Sequence, residues 1–526
     1  MFEYTKYFKD PVHGYIGVTE SEVKFIDNNA WLQRLRRISH LALCKLVYIG
    51  ANHTRFDHSL GVLYVITKMI ESLHKNSSLE SILGNLDMEY EDCLKNMRLV
   101  ALIHDVGHYP FSHPLELIMA KLIYKVENRD LARFTNSLLK YYKTHEISNL
   151  FILCKKLKER IISLGYDFKF IFCTLHHKVL EEFDKSKSKV YGNVLRELLP
   201  SEIDETLELY RKCNKEFEIL HKLIDSDFDA DRVDNLLRDS YYAGVGYGAI
   251  DIERLLNNLY LRLHNNQYYI AFDVKAQGEV ERFFLARYYI YRYVYHHHKV
   301  ALFDEAIRRL VEKLIEKKNE IIKDFFDFTF GKMKDENALT FDDYMVLNEI
   351  YRNRALIEDD ELISSLFELV FQRKDKFFSL WKRDHDYISS IEFGSKKKFV
   401  KMTTEDIYET FRLRRENLGT VIVAEGLERS LREYLKSQEG LDTLISVKAF
   451  SPVPSDVYFH TGRERVCISE FSPQIDSLDK CIVMKPPFYV YIYCKDCDRE
   501  KVKEQKDKMI LHVFTAYLKY LSENFK

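Results

Sequence analysis

The chain has 526 residues, of which 79 are Lys or Arg and 81 are Asp or Glu. At ~150 residues per domain this length allows two to four domains and a core that needs no covalent staples. The near-even charge excludes a bulk polycation, so nothing global demands nucleic acid, and 46% hydrophobic with 30% charged residues is ordinary for a globular protein.

The N-terminal MFEYTKYFKDPVHG lacks the charged-then-apolar pattern of a signal peptide. No run of ~18 apolar residues suggests a membrane span, so a cytoplasmic protein without a membrane partner is expected. Nine scattered cysteines fit reduced thiols. Cys494 and Cys497 form a lone CxxC without the second pair a zinc site needs, and read as ordinary thiols near a turn.

Residues 1–50 join a Pro/Gly-containing opening, DPVHGYIGV, to a helical period around Trp31, Leu32 and Leu35. Residues 56–75 predict a helix, with Leu60, Leu63, Val65, Ile66, Met69 and Leu73 mostly at i, i+3, i+4 spacing. A second helix runs over 90–105 and is apolar in its last two turns, before Gly107 and Pro110 break it. Further helical patterns cover roughly 115–125, 130–142, 145–165, 203–224, 229–240, 252–260 and 278–320. Strand signal is nearly absent before ~260, and Tyr268–Phe272 suits a small hairpin. The runs KSKSK (185–189) and GSKKKF (394–399) read as solvated loops. Helical stretches persist to ~436. Then Ser451, Pro452 and Pro454 punctuate the chain, and alternating CIVM and FYVYIY predict a small β-containing unit. Residues 500–523 return to a helix with Met509, Ile510, Val513, Phe514, Tyr517, Leu518 and Leu521 on one face. The fold class expected is therefore mainly α, with a smaller mixed α/β C-terminal region.

The strongest chemical signal is His58, then His104-Asp105, then Asp231, each within a predicted helix. Burying an imidazole beside a carboxylate costs several kcal/mol unless the pair is compensated or binds a cation. Two His and two carboxylates suit a divalent ion with N/O preference, such as Mn, Mg, Fe or Zn. An HD dipeptide alone is common, and the context carries the weight. His108 and His113 follow Asp105 closely, and His145-Glu146 lies near another helix. Asp231, Asp234 and Arg238 share a helical face by i+3 and i+4 spacing, which equally describes a salt-bridged surface. Arg55, three residues before His58, offers a guanidinium suited to phosphate.

In order, DPVHGYI (10–16), WLQRLRRI (31–38), HTRFDHSLGV (53–62), LIHDVGHYPFSH (102–113), HE (145–146), DADRVDNLLRDSYYAGVGYG (229–248) and RYVYHHHKV (292–300) resemble the HD superfamily, and more closely its dNTP triphosphohydrolase branch. The resemblance spans roughly residues 6–305. It implies an HD helical core, with a catalytic domain over 1–320 and a regulatory or oligomerising region over 321–526. It implies that His58, His104, Asp105 and Asp231 bind the metal. It further implies that Arg55 and Arg232 contact the triphosphate, that Arg287 reaches phosphate, and that His108, His113 and His145 line the site, with Glu116 orienting a histidine. Asp239 would meet the sugar 3′-hydroxyl. The reaction implied is dNTP and water to deoxynucleoside and tripolyphosphate, by a homo-oligomer of two to six chains.

Departures are specific. His40 stands where animal members of the branch have a glutamine near the sugar, and Asn235 where they have a tyrosine. In the activator-nucleotide motif, with Lys6, Gln33 and Arg36, Asn28 replaces an aspartate that reads guanine. The metal set alone also serves HD phosphohydrolases acting on nucleotide monophosphates, cyclic dinucleotides, alarmones or nucleic-acid ends. A nucleotide-sensing or single-strand-binding scaffold is the non-catalytic alternative, since Tyr and Phe, 35 each, can stack bases.

Overall fold

The computed structural model describes residues 3–124, 126–139, 142–186, 189–200, 202–358, 360–382, 386, 421–439, 442–447, 457–460, 465–483, 488–494 and 499–524. The chain divides into two compact units that interleave in sequence. One comprises Met1–Ile290, Lys318–Glu349 and Pro454–Ile475, the other Tyr291–Lys317, Ile350–Val453 and Asp476–Lys526.

The first unit is mainly helical. Helix Arg55–Lys75 starts at Thr54, whose hydroxyl caps the Asp57 amide while the Asp57 carboxylate accepts from the Thr54 amide at 2.8 Å. This reciprocal capping fixes the first turn, and with it Arg55 and His58. Helix Tyr90–Ile103 packs along it. Buried Arg98 anchors the second helix: its Nε and Nη2 donate to Glu22 at 2.7 Å each, and its Nη1 donates to Thr67 at 2.6 Å. An ion pair buried this well leaves neither charge uncompensated, which is the condition under which such a pair is tolerated.

Three local expectations are corrected. The opening segment is an antiparallel hairpin, Lys6–Asp10 with Gly14–Val18, in register Lys6↔Val18 and Asp10↔Gly14. Its strands have five residues each, too short for alternation to stand out. The stretch 168–198, outside the expected helices, holds Phe168–Leu175, His177–Ser186 and Lys189–Leu198. Lys185 and Ser186 thus end one helix and Lys189 begins the next, so KSKSK is not one loop. The GSKKKF run lies outside the described residues, as do Ser451, Pro452 and Pro454.

The expected hairpin near 268–272 is present as Leu259–His264 with Gln267–Asp273. Its two-residue turn, Asn265-Asn266, takes positive φ at both positions (46° and 63°), which asparagine tolerates and which matches strand twist. Val457–His460 adds parallel to Gln267–Asp273, and Arg465–Cys467 pairs with Val457–His460.

The second unit builds an antiparallel sheet of Phe377–Ser379, Phe488–Tyr493 and Thr443–Val447. FYVYIY is therefore the expected strand. CIVM is not: residues 481–483 end the helix Pro473–Val483. The C-terminal helix runs Arg499–Asn524 and buries Met509, Ile510, Val513, Phe514 and Tyr517, while the side chains of Leu518 and Leu521 lie outside the described residues. Helix His298–Lys317 packs on Glu361–Gln372. Cys494 is disulfide-bonded rather than an ordinary thiol. Among the described residues no helix is long and apolar enough to cross a membrane.

Candidate active site

The four expected metal ligands converge in the first unit. Asp231 Oδ1 lies 2.8 Å from His58 Nε2 and 3.6 Å from His104 Nε2. Asp105 Oδ1 is 3.4 Å from His104 Nε2, and its Oδ2 is 3.8 Å from His58 Nε2. Ligand atoms about 2.1 Å from one ion lie about 3.0 Å apart when adjacent and about 4.2 Å apart when opposite. The four distances fall in or near that window.

Hydrogen bonding also fits a metal. His104 Nδ1 meets the Ala101 carbonyl at 2.6 Å, and a carbonyl only accepts, so Nδ1 carries the proton. His58 Nδ1 is held at 2.8 Å by Asp234 Oδ2. Both rings therefore turn Nε2 toward the carboxylates, and among the described residues neither buried Nε2 makes a well-directed hydrogen bond despite those close approaches. Burial opposes charge on His58, but Asp231 and then Asp234 outweigh it and lift its pKa to about 10. Burial likewise opposes charge on His104, which Asp105 and Asp231 raise. Burial also works against Asp105, yet Arg55 and His104 hold its carboxyl well below the usual range. Such carboxylates are satisfied by protons on the histidines or by a divalent cation that displaces them.

Helix Ala230–Ala243 delivers the other side of the site. Asp229 caps it, accepting from the Arg232 amide. Arg232 also binds the Asp229 side chain through Nη1, and its Nη2 is 3.8 Å from Asp225. Asp231, in the first turn, accepts from Asn235 Nδ2 at 2.9 Å. Asp234 and Arg238, which sequence spacing allowed to be surface, are fully buried. Burial opposes the Asp234 charge, but Arg238, His13 and His58 hold its pKa well below the ordinary value.

Beyond Asp105 the chain turns sharply. Phe111 and Ser112 both take positive φ, 56° and 55°, a conformation that costs energy for residues with a Cβ. Three contacts impose it. The Phe111 amide donates to Asp343 Oδ1 at 2.7 Å, Ser112 Oγ accepts from Arg55 Nε at 2.7 Å, and Arg34 donates to the carbonyls of Val106, His108 and Phe341. Arg55 Nη1 also binds Asp105 Oδ2.

That turn delivers the second group. Glu116 Oε1 lies 3.2 Å from His108 Nδ1, 3.1 Å from His113 Nδ1 and 2.8 Å from His145 Nδ1. His108 stacks on His145 with ring centroids 3.8 Å apart. Burial, then Arg55, pushes the His108 pKa down to about 3, so this ring is neutral at physiological pH. Burial opposes ionisation of Glu116, but His145 and His113 hold it well below the carboxylate norm. The His113 side chain is 61% exposed and opens the group to solvent.

At the other side Asp239 Oδ1 lies 2.7 Å from His53 Nε2 and 3.7 Å from His40 Nε2. The two departures touch: His40 Nε2 and Asn235 Oδ1 are 2.5 Å apart. Burial, then His58, depresses the His40 pKa well below normal. Arg287 Nη1 lies 3.5 Å from the Asp227 carboxylate, near the start of the Asp231 helix.

The expected activator residues gather around Phe56 and Phe8. Arg36 lies 3.5 Å over the Phe56 ring, Lys6 5.5 Å over Phe8, and the two rings meet edge-on at 6.2 Å. Arg36 Nε donates to Gln33 at 2.9 Å, and Gln33 donates to the Ile26 carbonyl. Asn28 stands just beyond that carbonyl with φ 57°. Residues that sequence reasoning missed are His13, His53 and Asp343. His13 and His53 lie inside the quoted segments, but the partners that give them meaning are distant in sequence.

This constellation places the protein in a class. The HD domain family matches residues 55–226, and the chain belongs to the HD-domain family, a family of metal-dependent phosphohydrolases. It is 30% identical over 428 residues to the uncharacterized protein MJ1154 of Methanocaldococcus jannaschii, covering 81% of this chain and 73% of that protein. It is 29% identical to the uncharacterized protein YwfO of Bacillus subtilis over 68% of each chain. The deoxynucleoside triphosphate triphosphohydrolase SAMHD1 of Gallus gallus is 29% identical over 56% of this chain and 42% of its own length. A crystal structure of a hypothetical protein from Aquifex aeolicus matches the fold with a TM-score of 0.52 at 24% identity, covering 96% of this chain and 99% of that one.

Proposed function

We propose that this protein hydrolyses deoxynucleoside triphosphates to deoxynucleoside and tripolyphosphate, with His58, His104, Asp105 and Asp231 holding a divalent metal. The observation that carries the reading is the juxtaposition of that quartet with the His108–Glu116–His145 group through Asp105, whose Oδ1 is 3.2 Å from His108 Nε2. A cation site adjoining an acid–base group is what attack of water on a phosphoryl centre requires. When bound, the metal polarises a phosphoryl oxygen and lowers the pKa of a water.

The chain's own residues supply the rest. Arg55 and Arg232 offer positive charge to the triphosphate. Water oxygen bonds to the α-phosphorus, its proton passing to a histidine of the His108, His113 and His145 group, and the bond from that phosphorus to the 5′-oxygen breaks. The leaving 5′-oxygen takes a proton from the His113/His145 pair, whose Nδ1 atoms share the Glu116 Oε1 carboxylate oxygen at 3.1 and 2.8 Å. Asp239, oriented by His53, meets the sugar 3′-hydroxyl.

The His40–Asn235 contact supports a second reading at the sugar end. With a histidine and an asparagine in place of glutamine and tyrosine, tolerance of other nucleotides is favoured over strict deoxyribose selection.

The test is to incubate the full chain with each dNTP and with ribonucleotides, plus Mn²⁺ or Mg²⁺, and to resolve products by anion exchange beside Asp105→Ala. Deoxynucleoside and tripolyphosphate, lost in the variant, are expected. Orthophosphate or nucleoside monophosphate as first product, or no turnover, would overturn the reading.

A further inference from the structure

Behind the metal quartet runs a buried chain of polar groups that the proposed reaction does not use. Asp234 is its hub. Oδ2 takes His58 Nδ1 at 2.8 Å and Arg238 Nε at 2.8 Å, while Oδ1 takes His13 Nε2 at 2.6 Å and Arg238 Nη2 at 3.1 Å. Arg238 then reaches past Asp234 to the hairpin, where its Nη1 donates to Asp10 Oδ2 at 2.7 Å. The other Asp10 oxygen closes the hairpin turn by accepting from the amides of Val12 at 2.9 Å and His13 at 2.8 Å. His13 itself stacks on Tyr64 of the His58 helix, with centroids 4.7 Å apart.

Space around the hub is spent on this arrangement. Gly61 lies one turn beyond His58, and a Cβ there would fall 1.9 Å from Asp234 Oδ1 and 2.5 Å from Arg238 Nη2. The glycine lets the carboxylate lie flat against the helix whose histidine it holds.

A carboxylate paired with a guanidinium only accepts hydrogen bonds, so His58 must donate through Nδ1 and keep its Nε2 lone pair for a metal. Outer partners of this kind orient the ligand and raise its basicity. Here the outer partner is itself held by a residue 221 positions away in sequence. Without His13, Oδ1 keeps one donor and the carboxylate can rotate away from His58.

We propose that Asp234 and His13 are positioning residues of the metal centre, through which docking of the hairpin Lys6–Val18 and metal affinity are coupled. The proposal rests on the metal assignment above and not on the identity of the substrate. Coupling is reciprocal by linkage: if a docked hairpin strengthens metal binding, bound metal strengthens hairpin docking by the same factor.

The experiment uses the full chain and Mn²⁺ alone. Calorimetric titration compares wild type, Asp234→Asn, His13→Ala and, as a hairpin change outside the chain of contacts, Tyr15→Ala. Amide exchange of residues 6–18 is followed with and without Mn²⁺, and melting without metal reports folding. Asp234→Asn is expected to weaken Mn²⁺ binding about 10- to 100-fold. His13→Ala is expected to weaken it about fivefold or more, with Tyr15→Ala unchanged. Hairpin amides should exchange more slowly when wild type binds Mn²⁺, and that slowing should vanish in His13→Ala. A His13→Ala protein that melts lower but binds Mn²⁺ like wild type would show a merely structural role and overturn the proposal. So would wild-type hairpin exchange indifferent to Mn²⁺, a result that needs no variant to fold. A wild type that binds no Mn²⁺ sinks the metal assignment as well. Turnover of a nucleotide other than a dNTP sinks only the substrate reading.

Discussion

Gly107 is the residue on which the two halves of the site turn. It follows the HD pair by two positions, and a Cβ there would lie 2.0 Å from the His145 carbonyl oxygen, 2.5 Å from the Asn149 amide nitrogen and 3.1 Å from the Asn149 Cα. All three atoms are backbone, so no side chain can swing aside. A carbon–oxygen contact settles at about 3.3 Å, so Gly107→Ala must push helix Thr144–Ile152 and the HD turn apart by about 1.3 Å. The same helix clips the turn through Asn149 Nδ2, which donates to the Ile103 and His104 carbonyls at 2.8 Å each. Overpacking costs about 1–3 kcal/mol, and each weakened hydrogen bond adds up to about 1 kcal/mol. At roughly 2 °C per kcal/mol for a unit of this size, the melting temperature should fall by about 2 to 10 °C. Moving His145 by an ångström relative to Asp105 should cost about 100-fold in kcat, with KM changed less. Scanning calorimetry and steady-state phosphohydrolase kinetics read the two effects. A Gly107→Ala protein that melts within 1 °C of wild type and turns over normally would refute the packing argument.

Asp343→Ala should strip the acceptor from the buried Phe111 amide and the half-buried Ser39 amide, bonded at 2.7 and 2.8 Å, and cost about 1–3 kcal/mol for the first and less for the second in denaturant unfolding. With the positive-φ turn released, His113 and Glu116 should also lose their register, seen as a fall in kcat. Chelation should lower the melting temperature of wild type: metal at about 100 times its dissociation constant adds about 2.7 kcal/mol. No difference between EDTA and Mn²⁺ melts would contradict the metal centre. In the second unit, burial opposes ionisation of Glu305, but Arg308 and Arg309 hold its pKa below the ordinary 4.5. A depressed carboxylate contributes stability that is complete above its unfolded pKa and lost as pH falls through the folded one. Unfolding free energy should therefore drop below about pH 4.5 in wild type, and Glu305→Gln should flatten that acid limb.

Local chemistry and local periodicity were readable from residue order alone. The helix over 56–75 was legible because its apolar residues recur at helical spacing, and the hairpin only through its second strand, where the short apolar run Tyr268–Phe272 stands out. His104-Asp105 was legible because a carboxylate beside an imidazole at an apolar helix end demands compensation. The hairpin Lys6–Val18 was not legible, since five-residue strands carry too little alternation. CIVM misled because a short apolar run fits a strand or a helix end equally, and packing chooses between them. Everything that depends on distant partners emerged only on folding. Asp234 and Arg238 could have been a surface pair until burial joined them to His58, 176 residues before Asp234, and to His13, 221 residues before it. Asp343 acquires its role only because it reaches the Phe111 amide 232 residues away. A hydrogen bond is set by distance and direction in space, and a single sequence records neither once the chain has turned back on itself.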